Sequence, residues 1–264
     1  MSGLGFRVAN LLPRARGGGA LRMGLSVLRP SEWLQPGPDL AARKTAFDAH
    51  PDAVQLTDEA DAAGGELAAL VGADAGLESA ARHAWEDMCL LLPDADGVYR
   101  LVGAAVAFPT DWHPADKIGL PLRALHAPIH GYEDQLASGV DHFMARLKPD
   151  HIFGRCNWFV GPTSSLRWIE DAPPSETFAH VTPDNAGETL FVRSERQTLR
   201  RLPESGAIVF TIGVYLEPLG ALSDANLAWL AGAVATIPPE EAKRRGAQYF
   251  APQLTAYAEE RASA

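Results

Sequence analysis

Apolar residues recur at helical spacing from Leu77 through Ala81, Ala84, Trp85, Met88, Leu91 and Leu92, which predicts a helix over that stretch. The PDADG run at 93–97 stops it and turns the chain. The period then falls to two: Val98, Arg100, Val102, Ala104 and Val106 alternate with Tyr99 and Leu101, the pattern of a strand. Asp134 caps a second helix, whose Leu136, Val140, Phe143 and Leu147 form one apolar stripe. Strands are predicted over 152–160, 188–193 and 207–216, the last with Ile208, Phe210, Ile212 and Val214 on one face. Ser223 or Asp224 caps a third helix through Leu227, Leu230 and Val234, ended by the prolines after Ile237, and a final helical segment starts near Glu240. Residues 31–76 begin at a Ser31 cap and read as short helical pieces broken by Pro36, Pro38 and the glycine pair at Gly64. Long connections and grouped strands flanked by helices predict an α+β fold, a single domain with a largely antiparallel sheet, and not a parallel nucleotide-binding one.

Composition narrows the setting. The chain has 264 residues, 47% of them apolar, which is enough for a substantial core. Apolar runs such as GAAVAF at 103–108 fall far short of the roughly 20 residues that span a bilayer, so no membrane segment is expected. Net charge is −10, but residues 1–30 hold five arginines and no acid, leaving −15 on the remainder. A body so acidic repels phosphate backbones and argues against nucleic-acid binding. The Arg-rich segment 1–22 has the composition of an organellar targeting peptide; the readings favoured are a disordered extension or a start at Met23, with the domain occupying 23–264. Two cysteines, Cys89 in an apolar helical pattern and Cys156 in a strand, make neither a disulfide framework nor a CxxC, and fit a cytoplasmic protein.

Three groups could carry chemistry. In FPTDWHPADKIGLPLRALHAPIHGYED, prolines fix a loop around His113, His126 and His130, with Lys117 and Tyr132 nearby; the bland reading is a satisfied structural loop. On the strand GRCNW, Arg155 and Asn157 share a face, a fork of donors suited to a carboxylate or else an edge arginine in solvent. RSERQTLRRLP sets Arg193, Arg196, Arg200 and Arg201 against one acid, Glu195, and calls for an anionic partner, either an internal acidic face or a ligand. Imidazole, cationic anchors and many aromatics together suit a haem, one candidate among several.

The motifs HAWEDMCLLLPD, YRLVGAAVAFPTDWHPADKIGLPLRALHAPIHGYEDQL, RCNW and RSERQTLRRLPESGAIVFTIGVYLEPL, in this order, resemble the haem-dependent oxidative N-demethylase alpha-subunit family over about residues 22–255. The resemblance implies a PAS-like fold holding haem b, which oxidises a small methylated amine such as dimethylamine with dioxygen and releases formaldehyde. Electrons would come from separate subunits carrying flavin and an iron–sulfur centre, fed by a reduced nicotinamide. His130 stands where the family pattern favours proline, which leaves His126 as the family-matched histidine and expected axial ligand, with His113 and His180 as rivals. Arg155, Asn157, Arg193, Arg196 and Arg200 are the expected cofactor anchors, and Glu195 the acid expected to meet an ammonium substrate, although its arginine neighbours compete for it. The alternatives are a non-catalytic haem or small-ligand sensor and a scaffold subunit.

Overall fold

A computed structural model describes residues 4–12 and 22–263. Seven strands form one sheet among them: β1 (Ser26–Leu28), β2 (Val54–Leu56), β3 (Asp87–Pro93), β4 (Tyr99–Ala105), β5 (Ile152–Gly161), β6 (Phe191–Arg201) and β7 (Ile208–Pro218), in the order β1-β5-β6-β7-β3-β4-β2. The pairs β1–β5, β3–β7, β3–β4 and β2–β4 are antiparallel, and the fold is α+β with helices flanking the sheet, as the sequence predicts. The helices are α1 (Val8–Leu11), α2 (Ala41–Ala49), α3 (Ala60–Val71), α4 (Gly76–His83), α5 (Leu122–Leu125), α6 (Ser138–Arg146), α7 (Pro174–Thr177), α8 (Ala186–Thr189), α9 (Asp224–Ala235), α10 (Pro239–Arg244) and α11 (Ala251–Ser263). No described helix is long and apolar enough to cross a membrane.

The helix predicted from Leu77 to Leu92 is corrected at its midpoint. It ends at His83, and Cys89, Leu91 and Leu92 lie in β3. A period near four and a fully buried strand are indistinguishable in a short apolar run, and here sheet pairing on both sides wins: Leu90 lies between Gly103 of β4 and Val209 of β7. The turn at 93–97 forms as read, with Asp94 accepting hydrogen bonds from the Asp96 and Val98 amides and Gly97 at φ 80°.

The described residues divide into two compact units. The first holds Leu4 and residues 22–155 with Arg196–Gly213; the second holds residues 5–12, Cys156–Glu195 and 214–263, and β5, β6 and β7 contribute to both. In the first unit, register sorts the sheet's two sides. Met88, Leu90, Gly103 and Thr211 share one side, where α3 and α4 pack: a Cβ on Gly103 would stand 2.9 Å from Leu77 Cδ2 and 3.3 Å from Ala60 Cβ. Cys89, Leu91, Leu101, Ala104, Leu199 and Ile208 form the core of the other side, with Leu122, Met144 and Leu147 from α5, α6 and its end.

The second unit has its own core, in which Val160, Val192 and Leu190 meet Leu227 and Leu230 of α9 and Leu254 of α11. Ser223 caps α9 by accepting from the Asn226 amide at 3.3 Å. Within the predicted N-terminal tail, residues 4–12 are not loose: Val8 and Leu12 are buried in this core. Residues 13–21 lie outside the described residues.

Candidate functional site

The loop between β4 and α6 is built by successive turns. Gly119, at φ 78°, donates its amide to Leu101 O at 2.7 Å and brings Pro121 alongside Arg100 of β4. Pro121 then opens α5, whose Leu122 is buried against the sheet. Pro128 cannot continue a helix, so the chain closes in short turns, Ile129 N to His126 O at 2.9 Å and Tyr132 N to Ile129 O at 3.1 Å. Gly131, at φ 77°, leads into a π-helical segment, Glu133–Ala137, that runs straight into α6. Single π turns inside helices frequently accompany functional sites. Arg123 ties the loop together by pairing with Asp141 at 2.9 Å and with Glu133.

These turns fold Tyr132 back over His126. The two rings are stacked, centroids 4.5 Å apart and planes 8° from parallel. His126 Nδ1 lies 2.8 Å from Leu122 O. A carbonyl only accepts, so Nδ1 carries the proton and Nε2 carries the lone pair. Burial holds the imidazole below its ordinary pKa, against the pull of the Leu122 carbonyl, and the charges of Arg155 and Lys117 act in the same direction as burial. The ring is therefore neutral at neutral pH, with one nitrogen oriented by a backbone carbonyl and the other able to ligate. Metal-bound histidines are usually set up in this way. Tyr132 is buried, its hydroxyl has no hydrogen-bond partner, and burial pushes its pKa up to about 12.

On this side of the sheet the core that holds Leu122 of α5 is not fully covered. Trp112, Ile118, Leu125, Phe143, Phe153 and Phe210 are half-buried hydrophobics packed on the closed core beneath. Phe153 meets Phe143 edge to face at 5.1 Å. An imidazole with its Nε2 lone pair uncommitted, half-buried aromatics on the same side of the sheet and two cations whose fields reach the imidazole, Arg155 and Lys117, are the kinds of group a haem calls for: a nitrogen ligand, apolar cover for the macrocycle and partners for its carboxylates. The residues present fit the group. Among the described residues no cluster of three or more His, Cys, Asp or Glu is placed to hold a metal ion.

A model of the family described as haem-dependent oxidative N-demethylase, alpha subunit-like, matches residues 59–255. The chain belongs to that family. The match covers the loop and β3 to β7, and the family it describes is haem-dependent. For this N-demethylase-like chain, the remaining expected residues are placed as follows.

His130 and His180 are exposed, and His113 is half-buried at the start of the 3-10 turn Pro114–Asp116. Arg155 is half-buried on β5. Arg196 and Arg200 sit on the opposite side of β6 from Leu199. Arg196 is wholly buried and donates to the carbonyls of Leu4, Glu32 and Trp33, at 2.9 Å for Trp33. Arg200 stacks on Trp33 at 4.4 Å. In the second unit, Arg193 is buried and donates to Ser165 O at 3.3 Å. Asn157 donates to Glu195 Oε2 at 3.4 Å, and the carboxylate also supports the charge of half-buried Arg245, which stacks on Trp158 and Phe159.

Sequence reasoning passed over the Tyr132 stack, the Arg123 clamp and the buried pair Glu86–Asp87. The signal for the last was present: two adjacent acids interrupt the apolar run of ARHAWEDMCLLL. Acids in such a run are buried with partners or carry a proton.

Proposed function

We propose that this chain is the haem-carrying component of an oxygenase that removes a methyl group from a small methylated amine. Overall, the amine, dioxygen, two electrons and two protons give the demethylated amine, formaldehyde and water. Bound haem supplies the oxidation of the N-methyl carbon by dioxygen. The chain's own residues do the rest. His126 would hold the haem iron through Nε2, the Leu122 carbonyl and the Tyr132 ring fix the plane of that imidazole, and Trp112, Phe143, Phe153 and Phe210 would exclude water. Arg155 and Lys117 neutralise the carboxylates at the rim.

The observation that carries this reading is the 2.8 Å contact between His126 Nδ1 and Leu122 O, made by a ring that burial keeps neutral. The electrons come from a reductase on other polypeptides, with flavin, an iron–sulfur centre and reduced nicotinamide. The two cysteines of this sequence, Cys89 buried and Cys156 half-buried, cannot supply the four thiolates such a cluster takes. Glu195 is already engaged by Asn157 and Arg245, and has no part in the proposed chemistry.

The test is spectroscopic and chemical together. Protein produced with ample haem shows a Soret band, and with a reductant and dimethylamine releases formaldehyde in step with dioxygen uptake. His126→Ala abolishes the ferrous–CO signature of an imidazole-ligated haem. Arg155→Leu weakens haem retention far more than the surface change Arg7→Leu. An unaltered Soret band and unaltered turnover in His126→Ala would remove this histidine from the site.

A further inference from the structure

On the other side of the first unit's sheet, residues 29–35 form a strap that makes no strand pairing. It is held by side chains of the sheet reaching its backbone. Arg196 donates to the carbonyls of Glu32 and Trp33, and Glu86 Oε1 accepts the Gln35 amide at 2.8 Å. Trp33 is buried beneath it, with Arg200 stacked on its ring. The carboxyl under this strap is half-satisfied: Glu86 is 0% exposed, and its Oε2 has no hydrogen-bond partner. The Trp33 Nε1 and Arg200 Nε atoms of the same face are likewise buried without one. None of the three is exposed to bulk solvent.

We infer that the strap and Glu86 form a proton-linked latch: a proton on Glu86 Oε2 keeps the strap down, and losing it to solvent lifts the strap so that water reaches the carboxylate. Around Glu86 the charged groups are Arg196 from β6 and Arg43 from α2, which is itself paired with Asp87; Arg200 lies over Trp33, and Arg29 pairs with Glu32 at the strap's outer edge. Arg196 and Arg43 favour the carboxylate, as does the Gln35 amide, yet burial outweighs them and pushes Glu86 up to about 7 from its ordinary 4.5. An ionised oxygen without a donor in a dry interior is costly, and the strap offers the way out, because no strand pairing holds it.

The sign follows from linkage. The closed strap binds the proton more tightly than the open one, so closure is strongest below about 4.5 and weakens as pH rises to about 7, levelling beyond. The full change is roughly 300-fold in the opening equilibrium. Hydrogen exchange of the peptide spanning residues 29–36, in the full chain, reads it directly. After division by the intrinsic rate, opening rises close to tenfold per pH unit between those limits. Glu86→Gln keeps the shape and the acceptor for Gln35, and its strap exchange is flat with pH. A flat wild-type profile, the same slope in Glu86→Gln, or an equal slope in peptides of α9 (global unfolding) would each overturn the latch. Should Glu86→Gln fail to fold, the infrared carbonyl band of a buried protonated carboxylic acid in the wild type decides: it disappears as pH rises through about 7, and its absence at pH 5 overturns the proposal.

Discussion

The two sides of the first unit's sheet bury polarity in opposite ways. On the strap side, guanidinium groups close against backbone: Arg196 spends its donors on three carbonyls, and at the adjoining corner Arg43 donates to Ala81, Trp85 and Glu86 carbonyls and to Asp87 at 2.9 Å. Asp87 in turn accepts the Ala107 and Phe108 amides. On the loop side, polarity is left open, with one nitrogen of His126 committed and the other not required by the fold, beside aromatics that the core only half covers. The Arg43–Asp87 corner, with its donors and acceptors engaged, specifies structure, whereas a polar group held in place but only half used is poised for a ligand.

The largest test of this contrast is Arg43→Met. Both side chains of the Arg43–Asp87 pair are essentially unexposed, and removing one partner of such a pair costs about 3–5 kcal/mol. Chemical denaturation measures that loss. Haem bound per folded molecule stays at the wild-type value, since nothing at this corner touches His126. A drop in stoichiometry alongside the stability loss would show that the two sides are not separable.

His126→Ala inverts the pattern. The ring is half-buried, and the carbonyl it uses already accepts the backbone amide of residue 126 at 3.1 Å, so no buried acceptor is orphaned. About 1 kcal/mol of stability is lost, while haem uptake collapses. Acid gives the reversible version. The imidazole's pKa is depressed in the fold, so protonation destabilises the loop only below the ordinary value of 6.5. Haem affinity, which needs the neutral ring, declines as pH falls through that region and is flat above it. Equilibrium titration of the Soret band across pH 5–8 checks both halves of the statement.

Much of this was legible in the chain, and the failures have physical causes. The period-two stretches gave β4, β5 and β7, and Ser223 gave α9, because sheet pleat and capping chemistry act locally. The short strands β1 and β2, with Val27 and Leu56 largely exposed, leave no apolar signal, since their pairing is set by partners far along the chain. The arginines of RSERQTLRR look like one cluster in sequence. Strand alternation sends Arg196 and Arg200 to the side opposite Leu199, where Arg196 meets carbonyls that no linear reading can foresee. That the loop around His126 holds a fixed shape was readable, because its prolines and glycines announce it. The tautomer of His126 was not, because that depends on one carbonyl four residues earlier.

The smallest effect is also the sharpest discriminator of the loop side. Tyr132 contributes a ring to the stack on His126, while its hydroxyl is buried with no hydrogen-bond partner. A buried polar group in that state costs about 1 kcal/mol or more, so Tyr132→Phe, which deletes only the oxygen, raises stability by up to roughly 1 kcal/mol. The ring stack survives, and with it the orientation of His126, so the Soret position and haem affinity do not move. Tyr132→Leu fills similar space without a flat ring. It loses the stack, and both haem affinity and spectrum shift while the fold persists. If instead Tyr132→Phe is the less stable protein, the hydroxyl has a partner in solution. A destabilisation seen only when haem is bound would place that partner on the cofactor side, and the tyrosine would then orient more than the imidazole plane.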